Sequence, residues 1–146
     1  MNQYYEERAV STALQTYLTD KGWTNLRFKE GWDNPTPIAE RDVSVYIVRN
    51  SKLQLEMGQT SKTYIRPIQV DAYMETEAQA GAIVDDIMDF MDIVPIVIQD
   101  ETGNALGSML CSTNSIISDT VPPIFANPKI TWWRGVTRGT YETNYF

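Results

Sequence analysis

The closing stretch Lys129-Ile130-Thr131-Trp132-Trp133-Arg134-Gly135-Val136-Thr137-Arg138-Gly139-Thr140-Tyr141-Glu142-Thr143-Asn144-Tyr145-Phe146 constrains this chain more than any other segment. Its first half reads as a strand, and it stays rich in aromatic and β-branched residues to the last position. Chain ends are normally polar and frayed, and two adjacent tryptophans and a final Tyr-Phe are costly to leave in water. On a strand, Trp132 and Trp133 point to opposite faces. One can enter the chain's own core; the other needs a second layer or a partner. The pattern points to assembly rather than catalysis.

The rest of the composition narrows the choice. A length of 146 residues fits one domain, 1–146. A domain of that size buries roughly 68–70% of its unfolded surface and needs no disulfide or metal. The single cysteine, Cys111, excludes an internal disulfide framework and makes a reducing cytosol the expected place of synthesis. Met1-Asn2-Gln3-Tyr4-Tyr5-Glu6-Glu7-Arg8 has no basic region and no apolar run, unlike a signal peptide. No stretch approaches the ~20 apolar residues of a membrane span. Net charge is −7, which disfavours nucleic-acid or anionic-membrane binding. The absence of histidine removes Ser-His-Asp and Cys-His arrangements, His-ligated zinc and histidine acid–base chemistry. No P-loop or dinucleotide fingerprint is present. Most enzyme classes readable from sequence are therefore unsupported, and no catalytic residue or metal ligand is expected.

Periodicity sets out the elements. Val10, Ala13, Leu14, Tyr17 and Leu18 recur at helical spacing and predict a helix over Tyr4–Lys21, stopped at Gly22. Alternation of Leu26 and Phe28 with Arg27 and Lys29 predicts a strand over Asn25–Trp32. Asp33-Asn34-Pro35-Thr36-Pro37 cannot be regular structure. Asp42–Met57 and Lys62–Met74 read as two long strands around the turn Gly58-Gln59-Thr60-Ser61, a protruding hairpin. Pro67 calls for an unpaired edge or a bulge near that point. Thr76-Glu77-Ala78-Gln79 has capping-box spacing and opens a second helix with the stripe Ala80, Ile83, Val84, Ile87, Met91. Ile93–Gln99 reads as a strand, Asp100–Asn104 as a turn, Leu106–Ile117 as a returning strand and Ser118–Asn127 as a loop. The fold class is α+β: a mostly antiparallel sheet with a long protruding hairpin and two helices packed on one face.

Three groupings invite chemistry, and each has a plainer account. Asp85, Asp89 and Asp92 share a helix side, but nothing completes a cation's ligand loop, and a solvated face is the better reading. Ser61-Lys62 sits in a turn with nothing around it. Asp100-Glu101-Thr102-Gly103-Asn104 resembles a calcium loop but lacks the downstream spacing, so a hairpin turn is favoured. Cys111, within Met109-Leu110-Cys111, reads as a small buried hydrophobe. For the aromatics, both core and subunit interface stay open.

The element order and several short motifs resemble the tail terminator (tail completion) proteins of long-tailed bacteriophages. They are the N-terminal helix, Trp32-Asp33-Asn34-Pro35-Thr36-Pro37 after the first strand, and the long hairpin. Ile68-Gln69-Val70-Asp71-Ala72-Tyr73 then runs into the helix with Ala78, Ala80, Ile83 and Ile87, and the closing strand passes through Trp132-Trp133-Arg134. The resemblance spans nearly the whole chain. It implies a virion protein, assembled in the host cytoplasm, that forms a hexameric ring. That ring caps the tail tube, joins a head-completion or connector protein, lets DNA through without specific binding and carries no cofactor. Interface positions expected on this basis are Trp32, Asn34, Pro35, Pro37, Leu53, Leu55, Met57, Gln59, Trp132, Trp133, Tyr141, Tyr145 and Phe146. Two other readings remain: another head–tail connector or tail-tube subunit, and a small-molecule-binding α+β domain.

Overall fold

Residues 3–30, 41–47, 62–123 and 132–146 are described by the computed structural model. Helix α1 (Gln3–Asp20) buries Val10, Leu14 and Leu18. It stops as Gly22 predicts. Gly22 adopts φ +97° and donates to the Thr19 carbonyl, and Trp23 donates to that of Leu18, a Schellman closure. Strand β1 (Arg27–Glu30) runs parallel to β2 (Asp42–Ile47), which pairs antiparallel with β3 (Lys62–Met74). Thr76 caps α2 (Glu77–Ile93) by accepting from the Gln79 amide at 3.2 Å. Phe90 joins the expected stripe of buried α2 residues.

Strands β4 (Ile96–Gln99) and β5 (Ala105–Cys111) form a hairpin. Its turn is held by the Asp100 carboxylate, which accepts from the Thr102 and Asn104 amides, each at 2.9 Å. These bonds give the Asp-Glu-Thr-Gly-Asn segment a turn's role. The single strand expected over Leu106–Ile117 is instead split. One 3-10 turn (Thr113–Ser115) leads to β6 (Ile117–Val121), inside the segment expected to be a loop. Ser118, Asp119 and Thr120 give β6 no apolar alternation; its register comes from pairing with Arg134–Arg138.

The final strand β7 (Trp133–Tyr145) is longer than its first half suggested. All 13 of its residues pair antiparallel with β3. Its other edge is shared by β6 and β5. Between them, Ser112 donates to the Thr140 carbonyl and Ser115 Oγ accepts from the Thr140 amide. Thr140 thus turns both backbone groups away from β3, and Pro67 opposite it lies in a non-hydrogen-bonded pair. The proline's missing amide faces the β2 side, past the last described pair, Ile47 with Ile68.

The strand order is β1-β2-β3-β7-β5-β4, with β6 beside β7. One face carries Val43, Val45, Ile47, Ile68, Val70, Ala72, Met74, Tyr141, Met109, Ile96 and Ile98 into a single core with both helices. The α+β class with two helices on one face is observed, with a mixed sheet because β1 and β2 are parallel. Helix α1 touches β4 as well as β1 and β2, which stand at opposite ends of the strand order, so the sheet is curled around it. The hairpin tip, with Leu53, Leu55, Met57 and Gln59, lies outside the described residues, as do Trp32, Asn34, Pro35 and Pro37.

Candidate interaction surface

The two faces of the sheet carry different chemistry. On the helix side, Arg66 and Glu6 form a buried ion pair, Nε to Oε1 at 2.6 Å, with side chains 1% and 0% exposed. Tyr145 donates its hydroxyl to Glu6, and the Arg66 guanidinium lies over the Tyr64 ring, 4.8 Å from its centroid. This node ties α1 to the central strands. Burial, then the bond to Glu6, raises the Tyr145 phenol above its ordinary pKa.

On the outer face, Asp71 collects donors. The Tyr46 hydroxyl and Arg134 Nη2 each reach Oδ2 at 2.7 Å, and Gln69 Nε2 reaches Oδ1 at 2.8 Å. Gln69 also donates to the Tyr46 oxygen and accepts from Arg138 Nε at 2.6 Å. Tyr46, Gln69 and Asp71 are buried, and burial followed by the Asp71 bond pushes the Tyr46 phenol upward. Such a network fixes side chains on a sheet face and presents the Arg138 guanidinium at its margin.

Beyond Arg138 the same face mixes exposed apolar residues with Asp119 and Glu142. Val97, Leu110, Ile117 and Val121 all point outward and are exposed, Ile117 by 62%. A cleft of about 350 Å³ lies among Ile117, Ser118, Asp119, Val121, Val136 and Arg138. Register arithmetic brings these residues together across strands β4 to β7; no local sequence pattern groups them.

The expected aromatic positions separate. Trp132 and Trp133 take opposite faces, as strand alternation requires. Trp133 packs on the core, and Trp132 meets Tyr73 edge-on at 6.2 Å on the outer face. Tyr141 is a correction: it is fully buried in this chain's own core, because odd positions of β7 face the helices. Tyr145 is half-buried over the core, and Phe146 is 82% exposed. Cys111 is half-buried, and burial raises its thiol pKa.

Among the described residues, no three His, Cys, Asp or Glu side chains gather as a metal-ligand set. No described helix is long and apolar enough to cross a membrane. The sequence matches no protein-family model and no curated protein.

Proposed function

We propose that this chain is a structural, non-catalytic subunit that closes with copies of itself into a ring. The ring caps the tail tube of a long-tailed bacteriophage and offers the surface to which the filled head joins. The observation that carries this reading is the outer sheet face, where Val97, Leu110, Ile117 and Val121 lie exposed beside a rigid polar network. Large exposed apolar side chains set among polar ones on one sheet face suit a contact surface, and the hydrogen-bonded network beside them holds that face in one shape. The sequence resemblance supplies the kind of assembly and its partners, the tube protein and a head-completion or connector protein.

In this reading the contact face lies on one side of a two-layer molecule whose helices cover the other. A ring needs head-to-tail contacts, in which this face meets a different surface of the next copy, and it closes only where the rotation between copies completes a circle. DNA passes through without being gripped, in keeping with the net charge of −7.

Negative-stain microscopy of the protein with its tail tubes tests the proposal. Closed rings in which each subunit touches two copies are expected. A lone copy on the tube would refute the ring, and polymers that keep growing in light scattering would favour a tube subunit. Tight duplex-DNA binding at low salt would replace the passive channel with a DNA-gripping connector.

A further inference from the structure

We infer, independently of the ring reading, that Asp119 guards the open edge of β6 against pairing with β6 of a second copy. Among the described residues β6 has β7 on one side and no strand on the other. Even positions of β7 turn their backbone groups toward β5 and β6, as Thr140 does. Ile117, Asp119 and Val121 stand opposite Arg138, Val136 and Arg134, so β7 holds the amides and carbonyls of these three. The backbone groups of Ser118 and Thr120 face outward, an open edge of the kind on which a further strand can form.

Asp119 closes part of that edge from within the strand. Its Oδ1 accepts from the outward Thr120 amide at 2.8 Å. Pro122 and Pro123 follow β6 and have no amide to offer. Ser118, which is exposed, therefore carries the other outward donor of the strand. The Asp119 carboxylate is exposed as well and has no ion pair among the described residues. Arg138, on the same face, turns its Nε to Gln69 Oε1 instead.

Without Asp119 the strand would suit itself. Laid antiparallel about a two-fold axis through position 119, Ile117 meets Val121 of the second copy and Ser118 meets Thr120. Each Ser118–Thr120 pair would exchange both of its main-chain bonds, and the exposed Ile117 and Val121 would cover each other.

Asp119 stands against this pairing in two ways. The axis sets the two carboxylates in a non-hydrogen-bonded pair, the closer kind, with about 4.5 Å between Cα atoms. Like charges directly opposite each other destabilise a sheet. Pairing would also strip the Thr120 amide from its carboxylate in both copies. A charge on an edge strand is a recurring protection against such contacts. A β6 pair uses the same surface on both copies and closes at two, so Asp119 turns the chain away from that dead end.

The test compares full-length wild type with Asp119→Thr, which removes the charge and puts a strand former at an exposed position. Sedimentation equilibrium reads association, and NMR amide exchange at Ser118 reads the edge across the same concentrations. Association at least about tenfold tighter than wild type is expected, with Ser118 exchange slowing as copies associate. Equal association in the two proteins overturns the inference. So does association that leaves Ser118 exchange unchanged, since the contact then lies elsewhere. Asp119→Lys keeps like charges opposite each other and should stay at the wild-type level; association as tight as that of Asp119→Thr also overturns it.

Discussion

Glu6 and Arg66 show what a single residue pair decides here. Two full charges sit in the core because each satisfies the other and Tyr145 and Tyr64 complete the shell. Removing one partner strands the other, so Glu6→Ala should lower stability by about 3–5 kcal/mol. The double substitution Glu6→Met with Arg66→Met should recover most of that loss, since it leaves no buried charge. Urea unfolding of the two variants checks this; a double variant as unstable as the single one contradicts the account. The sequence shows Glu6 within a helix and Arg66 beside Pro67, with nothing local to join them. Only the crossing of α1 over the start of β3 brings them together. The opposite orientations of Trp132 and Trp133, by contrast, follow from strand alternation alone. Tyr141 misleads because strand alternation fixes relative orientation but leaves open which face meets the helices.

At the scale of elements, β7 organises the sheet, and its inward row is Trp133, Gly135, Thr137, Gly139, Tyr141, Thr143 and Tyr145. Its large side chains are Trp133, Tyr141 and Tyr145, so only the stretch Gly135 to Gly139 lacks a hydrophobic signature. The glycines are there because neighbours come close. A Cβ at Gly135 would lie 2.5 Å from Val84 Cγ2, and one at Gly107 would lie 2.3 Å from the Asn144 carbonyl oxygen. Backbone cannot yield as a flexible side chain can, so Gly107→Ala should cost about 2–3 kcal/mol and speed amide exchange across β5. Gly81 in α2 has nothing within 4 Å of an added Cβ. Gly81→Ala should therefore stabilise by about 0.5–1 kcal/mol. Thermal unfolding reads both signs, and equal effects would remove the close-approach argument. The helices were legible because their caps and stripes are local. Strand β6 was not, since three polar residues in five owe their extended form to β7.

Across the whole molecule, buried phenols set the alkaline limit. Burial raises Tyr46, Tyr141 and Tyr145 above their ordinary values, with Asp71 adding to Tyr46 and Glu6 to Tyr145. A folded-state pKa above the unfolded one means the folded chain holds protons the unfolded chain releases. That stability is fully present below about pH 10 and is lost as pH rises through the folded values. The urea midpoint should be flat from neutral pH to about pH 9.5 and fall beyond it. Phenylalanine at position 46 should reduce the slope, and an unchanged slope would contradict the assignment. What the sequence determined by itself were the properties carried by neighbours along the chain. These are both helices, the stop of the first at Gly22, the α+β class, the Asp100 turn and the opposed tryptophans. Tertiary structure decided everything that depends on residues far apart in sequence. It set β7 between β3 and the β5–β6 edge, curled the sheet around α1 and buried the Glu6–Arg66 pair. It also placed Val97, Leu110, Ile117 and Val121 on one outer face. The physical reason is that local propensity is read over one turn or one strand pair. Register, burial and surface are set by which distant segments meet.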